Sequence, residues 1–534
     1  MNRMNRGMAA VAAICLTALV AACGGGGGAA GQPLPPVNSA PNSQGAAVPL
    51  RGVVTYDSVP NIGGALAYAE TVRKPVRGAV VEALDAASRI VATTRTDVAG
   101  AYVVDVPANN SVSLRVRAQL SHEGPSASWE VSVRDNTRSD AIYALEVTDI
   151  PIGSAPVTRD VHAPSGWDGT RYASARVAAP FAMLDTIHDA QAKMLSVVPD
   201  AKFVPLRVFW SQHNLPADGN PALGQIGSTH FQRSGPNGPA IYMLGKEDLD
   251  TDEYDTSVIA HEWAHYYQAN FSRNDSPGGS HSMAESLDAR LAFSEGWANA
   301  WAGIALDRSD YTDSLGTQQA RGLRIDLAAG ASSNPGWHRE ASIQSVLWTL
   351  NSRVGFRPIH DAFTGDLKTG PALTSIHSFA AAFGRVAPAH GSQLAELLAR
   401  ERISAALNDP FGEQETNDGG LPGNPGALPL YRPASVGGTT SVCVSNRRGT
   451  GNKLGTHAFL RFTVTSARNH TLHVSGPAAA DPDLVVYGGR QLSVARSVGS
   501  TETLALRLAA GEHVLALNDF NNSSAATCFA VSIV

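Results

Sequence analysis

The chain has 534 residues, 43% of them apolar and 16% charged, with a formal net charge of −6. That length exceeds what one hydrophobic core organises, so two to four domains are expected. The acidic surplus and the lack of any long basic run argue against a nucleic-acid partner.

The chain opens with Arg3 and Arg6, followed by the apolar run MAAVAAICLTALVAA over residues 8–22. The run is too short to span a bilayer comfortably and suits a signal-peptide core, so residues 1–22 are read as a signal peptide. Small residues precede Cys23, and LVAAC resembles a bacterial lipobox. The resemblance implies lipidation of Cys23 and attachment to the membrane through it. Gly24, where Asp would retain a Gram-negative lipoprotein at the inner membrane, implies the outer membrane of the bacterial cell envelope. Residues 23–49 are dominated by Gly, Pro, Ser and Asn and are read as a flexible tether spanning on the order of 25–30 Å. Cys15 lies in the signal peptide, which leaves Cys443 and Cys528 as an even pair in an exported chain, so a disulfide is expected between them. By closing a long loop, such a bridge contributes about 4 kcal/mol through the unfolded state.

Residues 50–150 carry short alternating or β-branched runs (GAVVEALDA, RIVATTRTD, GAYVVDVP, SVSLRVRAQL, WEVSVRD) separated by turn formers, the pattern of a β-sandwich. The stretch VRGAVVEALD…TTRTDVAGAYVVDVP resembles the carboxypeptidase regulatory-like fold, which implies a supporting module. Residues 151–432 change to long helical patterns with one strand, AIYMLG, over 240–245, and are read as a mostly helical α+β domain. Strands return over 436–534 as a second sandwich. Here DPDLVVYGG and LRLAAGEHVLALND resemble the bacterial pre-peptidase C-terminal domain, with His513 where that family usually has an aromatic. The expected fold is therefore multidomain: an N-terminal β-sandwich, a central, mostly helical α+β domain and a C-terminal β-sandwich.

The central domain holds VIAHEWAHYYQ, residues 258–268. On a helix His261 and His265 lie one turn apart and point the same way, so two imidazoles can share one zinc ion. Glu262 is turned about 100° from His261, out of the ligand row but close enough to reach a water on the metal. Asp255 or Thr256 is placed to cap the helix.

A third ligand is needed, and two carboxylates qualify. Glu285 lies 20 residues beyond His265, the thermolysin-like separation, in the polar stretch GGSHSMAESLDAR. Glu295 lies 30 beyond, in AFSEGWANAWAG, where an unpaired carboxylate within an apolar helical run would be costly. Asn299 is one turn further on, placed to hydrogen-bond a ligating histidine. SEGWANAWAG also resembles the GEGW helix of fungalysin-like gluzincins, zincin metallopeptidases. Glu295 is favoured on these grounds. The resemblance implies a zincin-like catalytic domain with one zinc per chain, His261, His265 and Glu295 as ligands, and Glu262 as general base. The family's helix usually has Asp where this chain has Asn299, so the histidine behind it would be less basic.

Three protein ligands leave an open position for water. An oxyanion donor is also required; the candidates are Tyr266, Tyr267, His338 and His377, with His377 preferred on reach by the downstream helices. The strand 240–245 is expected to be the sheet edge that pairs with an extended substrate. In EDLDTDEYD, Asp248, Asp250 and Asp252 alternate as in a calcium loop, but Glu253 stands where Gly is needed and no bidentate Glu follows, so a solvated acidic loop is expected. No G-x-S-x-G, P-loop or Rossmann fingerprint occurs. The leading reading is a lipid-anchored zinc metallopeptidase acting on protein or peptide substrates. The alternatives are a catalytically inactive, peptidase-like surface binding or adhesion lipoprotein, and another zinc hydrolase on the same scaffold.

Overall fold

Alternation of apolar and polar residues builds the first strands. In Ala47–Ser58, Val48, Leu50, Val54 and Tyr56 are buried, and in Ala101–Pro107, Tyr102, Val104 and Val106 are, the period of a half-buried strand. The structure, a computed structural model, describes residues 46–235, 238–420, 427–522 and 526–534. The signal peptide, Cys15, Cys23 and nearly all of the tether lie outside these residues.

Strand Ala47–Ser58 pairs antiparallel with Val72–Pro75 and Ala101–Pro107, and parallel with Val157–Thr158 and Val161–Ala163. Facing it is a larger sheet whose path runs through 230–232, 240–243, 206–210, 128–135, 110–123, 79–84 and 90–95. This sheet does not stop at residue 150: strand Ser128–Asp135 pairs in parallel with Leu206–Trp210, Val131 opposite Leu206. One hydrophobic core accordingly extends from Val48 to Leu454, so the N-terminal β-layers and the helical middle are packed as a unit.

The middle contributes α1 (Ala179–Leu195), α2 (Thr256–Phe271), α3 (Ala289–Leu306), α4 (Glu340–Val354), α5 (Phe356–Thr364), α6 (Asp366–Thr369), α7 (Ile376–Val386) and α8 (Gly391–Arg400). Every residue of α3 except Leu306 is buried, as expected of a helix apolar on all sides. Gly296 sits where α4 crosses it: an added Cβ would lie 2.6 Å from Ile343 Cβ and 2.8 Å from the Glu340 carbonyl. The absence of a side chain there lets the start of α4 close onto α3. Among the described residues no helix is long and apolar enough to cross a membrane.

Two i, i+4 aromatic pairs lock α2 to α3. Trp263 stacks on Trp301 with ring centroids 5.3 Å apart, and Tyr267 meets Trp297 at 5.5 Å. Each pair lies two residues beyond a polar pair on its own helix, His261 and His265 on α2 and Glu295 and Asn299 on α3, about 200° around the axis. The antiparallel helices therefore bury aromatics on one side of their seam and gather the polar groups on the other.

The C-terminal residues form two facing sheets, 432–433, 457–464, 511–519, 482–487 and 491–495 against 439–444, 527–533, 468–475 and 501–508, around their own core. The disulfide Cys443–Cys528 is formed, joining directly opposed residues of the strands Thr439–Val444 and Thr527–Ile533. His513 is buried against Phe462 and shares its Nε2 with the Ala509 carbonyl at 2.9 Å. With β-sandwich-like sheets at both ends and a helical middle, the architecture has the expected coarse form.

Several local expectations are corrected. Strand Ala240–Met243 is not the sheet edge, because His230–Gln232 pairs antiparallel with it and takes that place. The acidic loop is solvated only in its first half, where Asp248 is exposed; Asp252, Glu253 and Asp255 are buried. Glu253 is paired with Arg176 at 2.8 Å, Asp255 accepts from Ser314 and Asn61, and Asp252 accepts from Thr229. Asp255 occupies the cap position of α2, but its side chain is turned to those partners and makes no capping bond.

Candidate metal centre

The polar side of the α2–α3 seam opens into a cleft of about 860 Å³. Its walls include His261, Glu262 and His265 from α2, Ser294 and Glu295 from α3, the edge strand at His230 and Phe231, and His281 from the loop before α3. His261 Nε2 and His265 Nε2 lie 3.2 Å apart, and Glu295 Oε2 lies 3.3 Å from the first and 3.2 Å from the second. The three residues form a compact group able to hold a metal ion. Four tetrahedral ligands about 2.0–2.1 Å from zinc are spaced about 3.3 Å from one another. The observed triangle thus has the size of one tetrahedral face.

The tautomers agree with that fit. His261 Nδ1 lies 2.9 Å from Asn299 Oδ1; since the amide oxygen only accepts, Nδ1 carries the proton and Nε2 presents its lone pair. Asn299 also directs its amide group to Met283 Sδ at 3.8 Å. His265 Nδ1 meets Ser294 Oγ at 3.4 Å, and Asn274 donates to that hydroxyl at 3.1 Å. Lone pairs gathered this closely in a buried site repel unless a proton or cation lies among them.

Burial pushes the Glu295 carboxyl upward, but the charge of His265, with the close imidazoles of His261 and His281, outweighs it and holds the group well below the carboxylate range. Burial likewise pushes the His265 imidazole down, while Glu295 more than compensates and leaves it raised.

Glu285 is not part of this group: it pairs with Lys453 Nζ at 3.1 Å and accepts from Ser282. The four candidate oxyanion donors are also elsewhere. His377 is buried in α7 with its Nε2 3.0 Å from Glu415, because a buried imidazole needs a polar partner and Glu415 supplies it. Tyr266 donates to the Val204 carbonyl at 2.5 Å, and Tyr267 shares its hydroxyl with His360 Nδ1 at 2.9 Å. His338 is fully enclosed, its pKa pushed down to about 4 by burial and Arg339.

The residue that sequence reasoning missed is His281. Its Nδ1 lies 2.8 Å from Glu340 Oε2 and its Nε2 lies 3.4 Å from Glu295 Oε2. Burial lowers its pKa, but the Glu340 hydrogen bond and the Glu295 charge carry it up to about 9. A lone His in GGSHSM carries no helical spacing that would link it to the motif.

A second compact acidic group, Asp250, Asp252 and Asp313, lies where the short strand Asp250–Thr251 pairs antiparallel with Asp310–Leu315. Burial and mutual repulsion push Asp250 up to about 7 and Asp252 well above its ordinary value, and burial raises Asp313 to about 6.

No family model matches the chain, and no curated protein matches it. Among solved structures, the pre-peptidase C-terminal domain of a collagenase from Bacillus anthracis is similar over 20% of this chain and 94% of its own, at 14% identity and a TM-score of 0.16. A surface-associated copper-binding protein of Methylomicrobium album covers 20% of this chain and 98% of its own, at 7% identity and a TM-score of 0.16. A periplasmic inhibitor of g-type lysozyme from Aeromonas hydrophila covers 20% and 99%, at 13% identity and a TM-score of 0.13. At such scores these likenesses carry no argument about function, which has to come from the cleft itself.

Proposed function

We propose that the chain is a zinc-dependent metallopeptidase of gluzincin type, with His261, His265 and Glu295 as the metal ligands. The observation that carries this reading is the 3.2–3.3 Å triangle of their ligand atoms at the base of an open cleft. A bound zinc supplies a Lewis acid that lowers the pKa of a water and polarises a carbonyl.

The chain's own groups supply the rest. Asn299 fixes the His261 tautomer, so that Nε2 is free to ligate. Glu262 lines the same cleft but stands outside the ligand row. It takes the proton of the attacking water and later delivers it to the leaving amine. Among the described residues no strand pairs with the outer side of the edge strand His230–Gln232, which leaves that side for an extended peptide. His281, oriented by Glu340, is the donor for the oxyanion; it replaces His377, which is engaged with Glu415.

By the same proposal, Cys23, the last residue of the lipobox-like LVAAC, anchors the enzyme by lipid to the bacterial envelope, with the outer membrane favoured by Gly24. The test is Glu262→Gln. It should keep the metal content of the unaltered protein and lose peptide hydrolysis by about 10²-fold or more. Unchanged hydrolysis in that variant would sink the mechanism.

A further inference from the structure

Beside the metal cleft lies a second cavity of about 510 Å³, walled by the central helical region on one side and the C-terminal sandwich on the other. The two are continuous: Arg233, Asn274 and Ser276 line both. The second cavity is unusual in a chain of net charge −6, because its lining includes Arg233, Arg273, Arg290, Arg490 and Arg496 against a single carboxylate, Asp275.

Three of these arginines are already engaged: Arg496 has an interaction of its own, and Arg273 and Arg290 serve the fold. Arg273 is 3.0 Å from Asp275 and donates to the carbonyls of Gly370 at 2.7 Å and Gly489 at 2.6 Å. Arg290 forks onto Asp288 through two contacts of 2.9 Å. His457 adds no charge, since burial and Arg290 push its pKa down to about 4. Asp275 is itself engaged, accepting from the Thr374 amide at 2.9 Å. Arg233 and Arg490 differ: both are exposed, and neither has an acidic partner among the described residues. Arg233 directly follows the edge strand His230–Gln232. Arg490 lies in the hairpin between strands Pro482–Tyr487 and Gln491–Ala495, whose Gly489 is held by Arg273.

We infer that this cavity is a substrate subsite for carboxylates, and that the enzyme selects peptides with an acidic segment a few residues from the bond it cuts. A strand added to the edge at 230–232 is led past Arg233 into the basic chamber. Arg233 and Arg490 both line that chamber, and a guanidinium fork can take a carboxylate in two-point geometry. A cavity poor in acids and rich in arginine gives discrimination by complementary charge. The inference rests on the peptidase reading for what lies in the cleft, but the cavity's charge is independent of the metal.

The test uses the full-length Glu262→Gln protein and fluorescent peptides that differ only as Glu against Gln. Each is made with a free or amidated C-terminus, to separate side-chain from terminal carboxylates. The acidic peptides should bind about ten-fold more tightly by anisotropy, lose that preference in Arg233→Gln/Arg490→Gln, and lose it progressively with added salt. If only the free C-terminus matters, the subsite takes the terminal carboxylate. Equal binding of Glu and Gln peptides with either terminus, or a preference that survives the double substitution, would overturn the subsite. Selective binding of acidic peptides by a protein that, unaltered and zinc-loaded, cuts none of them would leave the subsite standing and remove the peptidase reading. Cleavage without regard to charge would do the reverse.

Discussion

Lys453, in the C-terminal sandwich, donates to the carbonyl of Ser280, the residue before His281, at 2.6 Å. The same short segment bonds again to the cleft loop: Asp288 donates its amide to the Asn452 carbonyl at 3.0 Å, and Leu454 donates to the Ser286 carbonyl at 2.9 Å. The loop that presents His281 is therefore held in part by another layer of the protein.

Lys453→Ala should consequently loosen the loop while leaving the ligand triangle intact. The expected outcome is an unchanged metal content with hydrolysis lowered about ten-fold, mostly in kcat, since a misplaced oxyanion donor weakens the transition state more than the ground state. Metal analysis and steady-state kinetics on one preparation check both halves.

Asn299→Leu removes the acceptor at 2.9 Å that fixes the His261 tautomer. Metal affinity should fall about 10- to 100-fold, as read by competition with a chelating dye. Asn299→Asp keeps an acceptor and adds charge, so it should hold metal at least as firmly as the unaltered chain.

The acidic group predicts a pH dependence of stability. Asp250 is raised to about 7 in the fold, first by burial and then by Asp313. A carboxyl whose folded pKa is raised holds its proton better folded than unfolded. Its stabilising contribution is complete below the unfolded value near 4 and is lost as pH rises through about 7. Asp250→Asn should therefore leave thermal stability nearly unchanged at pH 4 and raise it by on the order of 1–2 kcal/mol at pH 8, after discounting for the solvent that reaches this side chain. Thermal melts at both pH values with no divalent cation added check this; equal effects at the two would contradict it.

Much of the candidate site was legible because helices make local spacing into geometry. His261 and His265 share a face by their four-residue separation, and Glu295 was favoured over Glu285 because an unpaired carboxylate in the apolar run AFSEGWANAWAG would be costly. Asn299 followed from the same spacing. What was not legible depends on partners distant in sequence. His281 owes its place to Glu340 and Lys453, and His377 belongs to Glu415. The sheet edge is a three-residue strand, too short to show alternation. The acidic loop looked solvated throughout because Arg176, Asn61, Ser314 and Thr229, which let its second half be buried, lie well apart from it in the chain. The continuity of the large sheet rests on the parallel pairing of 128–135 with 206–210, which neither strand signals by itself.

The most direct test of the account is zinc per chain, by elemental analysis of the full-length protein beside Glu295→Ala and Glu285→Ala. About one zinc in the unaltered chain and in Glu285→Ala, with loss in Glu295→Ala, is the predicted result. No zinc in the unaltered chain after reloading, or loss confined to Glu285→Ala, would contradict it.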